Sequence, residues 1–232
     1  MRWMVPLGLA GLLASAAPAL ASPALESRPA IDETLNADPD SDFWRNAPGI
    51  FAEGDVFGAV LPVLRTEIRS RWSATTLYLL YVCPYSGQLN LKLDPDPVRE
   101  TMKLWNWDVA EAFLAGDPAH PERYREFEVS PQGEWVDLDI DPRKSKWGDP
   151  DWNSGFHVAA RIDAEHHLWY GAMAIPWAAL IDGAPKAGQE LRANFYRLQG
   201  PPPSRALIAW QPTGKASFHV PEAFGVLRLV GK

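Results

Sequence analysis

Cysteine is nearly absent: Cys83 is the only one in 232 residues. That excludes a disulfide framework within the chain and a Cys-based zinc cluster. Within the apolar stretch Leu77 to Cys83 it reads as a buried free thiol acting as a small hydrophobe. Positive charge is also in deficit, with 22 Lys and Arg against 29 Asp and Glu, a net charge of -7 and a pI of about 5.2. A nucleic-acid footprint and a polybasic membrane patch are therefore not expected. Beyond Leu20 no run approaches the roughly 18 apolar residues of a membrane span. Helical periodicity is almost missing; Pro176-Trp177-Ala178-Ala179-Leu180 reads as one turn, with Pro at a tolerated first position. The chain has no G-x-S-x-G, no Gly-rich phosphate loop, no H-E-x-x-H and no C-x-x-C. His166 and His167 are adjacent and point to opposite faces of any strand, and His120 and His157 lack ligand spacing. Metal catalysis has no support in these spacings.

What is present is a soluble, globular composition, 47% hydrophobic and 22% charged, long enough to bury a core without covalent staples. There are 22 prolines, and 11 tryptophans beside 4 methionines. So many large amphipathic rings point to a stacking surface as well as a core. Met1-Arg2, the apolar run Trp3 to Leu20 and Ala19-Leu20-Ala21 form a secretory signal cleaved after Ala21. Pro6, Pro18 and the small residues from Ala14 to Ala17 argue against the alternative, a retained anchor. The expected destination is the periplasm or the exterior. Residues 22–30 read as a short disordered leader and 31–232 as one domain.

Strand patterns dominate that domain. Leu64 to Trp72 alternates, with Ile68, Ser70 and Trp72 on one face and Glu67, Arg69 and Arg71 on the other. Leu77 to Cys83 returns as its hairpin partner. Tyr124 to Val129 sets Phe127 and Val129 against Glu126 and Glu128, and Ser130-Pro131-Gln132-Gly133 is a turn into Trp135 to Ile140. Phe156 to Ile162 and His167 to Ile175 form a hairpin about Asp163-Ala164-Glu165. Leu191 to Leu198, Ala206 to Trp210 and Phe224 to Val230 complete the set. Many short strands with Pro and Gly punctuation predict an all-β antiparallel sandwich of jelly-roll or immunoglobulin-like type.

Three constellations bear on function. In Trp107 to Phe113 one face carries Trp107, Val109, Glu111 and Phe113, and Trp105 precedes it in a loop. A loop Trp beside Asn106 and Glu111 suits sugar recognition, since pyranose C–H bonds lie on the ring while amide and carboxylate oxygens accept hydroxyls. Alternatively Trp107 is core and Trp105 caps it. Second, if Val129 opposes Glu134, then Glu128 opposes Trp135 and Glu126 opposes Asp137. Opposed carboxylates repel and need Arg69 or Arg71, a calcium ion, or a shared proton. The same face is otherwise a solvated acidic surface, and a glycosidase pair is the enzymatic reading. Third, Phe218 and His219 lie in the loop before the last strand, which is expected to face the Trp105 loop at one end of the sandwich.

The order of these features resembles carbohydrate-binding module family 9 and its wider group of DOMON-type β-sandwiches. The resemblance runs through Asp42-Phe43-Trp44-Arg45-Asn46-Ala47-Pro48, Thr66 to Arg69 with Leu77-Tyr78-Leu79, Leu104 to Phe113 and Tyr124 to Val129. It continues through Ala174 to Trp177, Leu191 to Phe195, Ile208-Ala209-Trp210, Phe218 to Pro221 and Phe224-Gly225. It implies binding of glycans, often at chain ends, between two facing aromatics. The first aromatic matches Trp105 and the hydroxyl-accepting carboxylate matches Glu111. Phe218, followed by His219, stands where well-studied members have the second Trp, and Glu128 stands where some members have an Arg. Arg69, Arg71 or Arg205 is the candidate substitute. Members also hold structural calcium, for which Asp38, Asp40 and Asp42 are the suggestive acidic cluster.

The reading that follows is a secreted, non-catalytic, monomeric carbohydrate-binding protein without a required cofactor. Its expected site is Trp105, Asn106, Glu111, Phe218, His219, Arg69, Arg71 and Glu128. One alternative is a haem-binding electron-transfer domain using Met102 or Met173 with His219, His157 or His120. The other is a protein-interaction domain whose aromatics are purely structural.

Overall fold

The computed structural model of the chain describes residues 23–144, 148–149 and 151–231. The expected secretion signal, with its cleavage point at Ala21, lies outside the described residues. These form fourteen strands, four single 3-10 turns and no α-helix. In chain order the strands are β1 (Ala24–Pro29), β2 (Gly49–Ala52), β3 (Gly54–Asp55), β4 (Thr66–Trp72), β5 (Thr76–Pro84), β6 (Val109–Ala115) and β7 (Tyr124–Val129). They continue as β8 (Trp135–Ile140), β9 (Gly148–Asp149), β10 (His157–Asp163), β11 (Leu168–Pro176), β12 (Glu190–Gln199), β13 (Ala206–Ala209) and β14 (Gly225–Leu229). The expected turn after Pro176 is the 3-10 turn Trp177–Ala179.

One sheet runs β10-β11-β5-β4, with β2 also on β4, and the other runs β14-β12-β6-β7-β8-β9, with β13 on β12 and β3 on β13. Strand β1 joins them by pairing parallel with both β14 and β4; the other pairings are antiparallel. This corrects the expected disordered leader. Leu25 and Ser27 point inward and are fully buried, and Ser27 Oγ meets Ser70 Oγ at 2.8 Å. The six residues Ala24–Pro29 suffice because both backbone edges are satisfied by neighbouring strands.

The period-two faces hold. Leu79, Tyr81, Trp169 and Met173 from one sheet meet Ala112, Phe127, Phe195 and Leu227 from the other in a buried core. Tyr81 Oη donates to the Glu111 carbonyl across the gap at 2.7 Å. The sheets approach so closely that a Cβ on Gly171 would lie 2.8 Å from Val129 Cγ1. Cys83 is buried in this core, and burial pushes its thiol pKa up to about 12.

A second apolar layer covers the outer face of the β6-β7-β8-β12 sheet, with Val109, Phe113, Tyr124, Val136, Tyr196 and Phe224 as members. A third, containing Phe43, Trp44 and Tyr78, covers the outer face of the other sheet.

The β7-β8 register differs from expectation by one residue. Ser130 N donates to the Glu134 carbonyl at 2.9 Å, and Gly133 takes a left-handed φ of 88°. The loop therefore closes at Ser130 and Glu134, so Val129 pairs with Trp135, Glu128 with Val136 and Glu126 with Leu138. A one-residue slip moves every side chain to the other face. Asp137 opposes Phe127 and is not a partner of Glu126.

Candidate functional site

The carboxylate that does oppose Glu128 comes from the other side: Glu111 on β6 pairs directly with it. Alternation along β7 puts Glu126 on the same face, and nearest carboxylate oxygens of Glu111, Glu126 and Glu128 all lie within 4.8 Å of one another. Glu111 is 2% exposed, Glu126 3% and Glu128 0%. Neither oxygen of Glu128, nor Oε2 of Glu126, has a hydrogen-bond partner. Burial raises all three carboxyl pKa values, and mutual repulsion adds to the rise at Glu111 and Glu128; Glu126 is pushed up to about 7.

Above this floor opens a cavity of about 560 Å³, lined by Glu111 and Glu126 with Trp105, Leu138, Phe218 and His219 among others. That volume lies in the range of small-ligand sites. Its floor is the outer face of the sheet, in the middle of β6, β7 and β8, and not one end of the sandwich. The two expected aromatic loops do meet over it.

The Trp105 loop is held from three directions. Lys103, at a left-handed φ of 64°, turns the chain into the 3-10 turn Leu104–Asn106, whose Leu104 is fully buried. Asp108, also buried, accepts hydrogen bonds from Gly200 N at 2.6 Å, Asn90 N at 3.1 Å and Gln199 Nε2 at 3.1 Å. The Arg205 guanidinium donates to the carbonyls of Trp105 at 2.7 Å, Trp107 at 2.6 Å and Gly200 at 3.1 Å. The planar fork of Arg suits this multiple grip.

The opposite wall is equally fixed. Phe218 stacks on Tyr196 with ring centroids 4.2 Å apart, and Tyr196 Oη donates to the Phe218 carbonyl at 2.9 Å. Phe218 is only 7% exposed. His219 keeps an exposed edge while its ring leans on Phe113, and Nδ1 lies 2.6 Å from Tyr124 Oη. Desolvation of the ring lowers the His219 pKa to about 4, so the imidazole is neutral at neutral pH.

Several expected site residues lie elsewhere. Arg69 and Arg71 are on β4, in the other sheet. Arg69 pairs with Glu67 at 2.8 Å and donates to the carbonyls of Pro39 and Trp44, and Arg71 lies 5.6 Å from the Phe43 ring centroid. Strand alternation told which face they occupy but not which sheet. Asn106 is exposed and its carbonyl accepts from Asn90 Nδ2 at 3.0 Å. Arg205 is the cation placed beside the glutamates, where it offsets part of the rise at Glu111 and Glu128. Glu126 belongs to the floor as well; its place on one face with Glu128 was the available signal. Asp38, Asp40 and Asp42 do not converge. Asp38 accepts from Asp40 N at 3.1 Å and Asp42 lies 3.6 Å from Arg45, and the three do not form a group with ligand oxygens within 4.8 Å of one another. Among the described residues the converging acidic set is Glu111, Glu126 and Glu128. Of the haem candidates, Met173 is core, His120 sits by Glu122, His157 lies on β10, and Met102 and His219 line the cavity.

The chain aligns over 90% of its length with two structures of a family 9 carbohydrate-binding module of Caldicellulosiruptor kristjanssonii. The cellotriose complex gives a TM-score of 0.65 at 13% identity over 95% of that chain. The glucose complex gives 0.65 at 12% identity over 97%. The fold is that of the family 9 carbohydrate-binding modules. The chain is also similar in structure to a candidate carbohydrate-binding protein of Bacteroides uniformis, with a TM-score of 0.71 and 14% identity over 90% of this chain and all of that one. An extracellular protein of Arthroderma benhamiae is 28% identical over 176 residues, covering 70% of this chain and 78% of its own length. No family model matches the sequence. No helix among the described residues is long and apolar enough to cross a membrane.

Proposed function

We propose that this protein is a secreted or periplasmic, non-catalytic glycan-binding protein, and that the sugar sits between Trp105 and the Phe218-His219 wall, over Glu111 and Glu126. The supporting observation is that two rigidly held aromatic loops and buried carboxylates line one cavity. Ring faces cover pyranose C–H bonds with little entropy to lose, and carboxylate oxygens accept hydroxyls. Both carboxylates lining the cavity stand on adjoining strands of one sheet, whereas a glycosidase pair flanks the bond it cleaves. That the family 9 modules of similar fold bind glucose and cellotriose supports the same reading.

Affinity electrophoresis of residues 22–232 against plant and bacterial polysaccharides tests it. Retardation on some glycan, lost in Trp105→Ala, is expected; a cost of roughly 1.5–3 kcal/mol follows if the ring is largely covered. Unaltered retardation in the variant overturns the site. A haem reading rests on Met102 and His219 lining the same cavity, and a Soret band in protein made under haem-replete conditions is its test.

A further inference from the structure

Resting on that glycan reading, we propose that the cavity selects sugars carrying a free primary amine, whose ammonium group seats on Glu111, Glu126 and Glu128. The carboxylates do more than converge. Glu128 is fully buried, and neither of its oxygens meets an N–H or hydroxyl donor. Glu126 and Glu128 can hydrogen-bond each other only when one of the two carboxyls holds a proton. Arg205, the nearby cation, directs Nε and both terminal nitrogens at backbone carbonyls. When these carboxyls are ionised the floor has no donor from the protein, and a cavity with Trp105 and Phe218 walls opens onto Glu111 and Glu126, with a carboxylate oxygen of Glu128 within 4.8 Å of theirs.

Ligand chemistry separates the candidates. An ionised carboxylate only accepts hydrogen bonds, and an ammonium donates three and accepts none. Three acceptor groups within 4.8 Å of one another match three N–H donors on one nitrogen. A hydroxyl offers one donor, and an N-acetyl amide one donor plus a methyl, so either leaves carboxylates dry and unpaired. The aromatic walls favour a cation near their faces, and the chain's net charge of -7 draws cations in. A 2-amino-2-deoxy sugar supplies the ammonium and the pyranose face in one molecule.

Calorimetry on residues 22–232 in EDTA-containing buffer, with three β-1,4 disaccharides, tests this. The ligands are cellobiose, the fully deacetylated glucosamine disaccharide and its di-N-acetylated form. The deacetylated sugar is expected to bind at least about tenfold tighter than the other two, and Glu128→Gln to reduce that preference to about twofold. Equal or tighter binding of either neutral sugar overturns the inference while leaving the glycan reading intact. Binding of the amine only when calcium replaces EDTA also overturns it, assigning the floor to a metal ion. No binding of any of the three overturns it too; failure of the glycan reading itself is recognised separately, as no retardation on the whole polysaccharide panel. Should Glu128→Gln not fold, the wild-type ranking of the three sugars decides alone.

Discussion

Glu111 on β6 and Glu128 on β7 face each other directly across the strand pair, both buried, and Glu128 has no hydrogen-bond donor on either oxygen. Like charges so placed repel, and in a desolvated site they hold protons well above the ordinary carboxylate range. The protein keeps an unfavourable arrangement at the floor of its cavity, as ligand sites often do.

The first consequence is a pH-dependent stability. The folded-state pKa values of Glu111, Glu126 and Glu128 are raised, that of Glu126 to about 7. The folded state thus binds protons that the unfolded state has released, and stability is lost as pH rises from about 4.5 through 7 and beyond. Glu128→Gln removes one such group and should stabilise the unliganded protein by about 1–3 kcal/mol at pH 8, with less effect at pH 5. Urea denaturation of both proteins at the two pH values checks this. An equal effect at both contradicts it.

His219 acts in the opposite sense. Its pKa is lowered to about 4 by desolvation, so the unfolded state takes up the proton first as pH falls from about 6.5. Stability from this residue is complete above 6.5 and lost towards 4. His219→Asn should flatten that acid limb, and NMR titration of the imidazole should place its midpoint well below that of an ordinary histidine. A midpoint near 6.5 contradicts the packing of the ring against Phe113 and Tyr124.

Arg205 is a positioning residue for the Trp105 loop. Arg205→Ala removes its donors to the carbonyls of Trp105, Trp107 and Gly200, a destabilisation of about 1.5–3 kcal/mol. Glycan affinity should fall with it. Arg205→Lys should not restore affinity, because an ammonium cannot span the same fork. Full rescue by Lys indicates a purely electrostatic role.

The spacing of the sheets has its own test. Gly171→Ala places a methyl 2.8 Å from Val129 Cγ1 and 3.0 Å from Trp169 Cζ3. Overpacking of this kind costs about 1–3 kcal/mol, read as a lowered denaturation midpoint with glycan binding retained. No change in midpoint shows that the two sheets yield freely here.

Period-two alternation was enough to read which residues within one strand share a face. It separated Phe127 from Glu126 and Glu128, and Ala112 from Glu111, and so exposed most of the floor. Alternation carries no information about which sheet a strand joins, so Arg69 and Arg71 were legible as a face but not as a distant one. The β7-β8 register depended on one loop residue, decided by the closure of Ser130 on Glu134 with Gly133 in a left-handed conformation. Strand β1 was hidden because its stability comes from two parallel neighbours remote in sequence, not from its own Pro- and Ala-flanked residues. Arg205 sits in a Pro- and Ser-rich loop whose approach to Trp105 only the fold creates.

The most direct test of the glycan site is the indole N–H spectrum of ¹⁵N-labelled protein during titration with an oligosaccharide of any glycan that retards it. The Trp105 resonance is identified by its disappearance in Trp105→Ala. That resonance is predicted to shift progressively with sugar, while those of Trp44 and Trp169, both fully buried in the two sheets' apolar layers, stay in place. Saturable binding that leaves the Trp105 resonance unmoved contradicts the account.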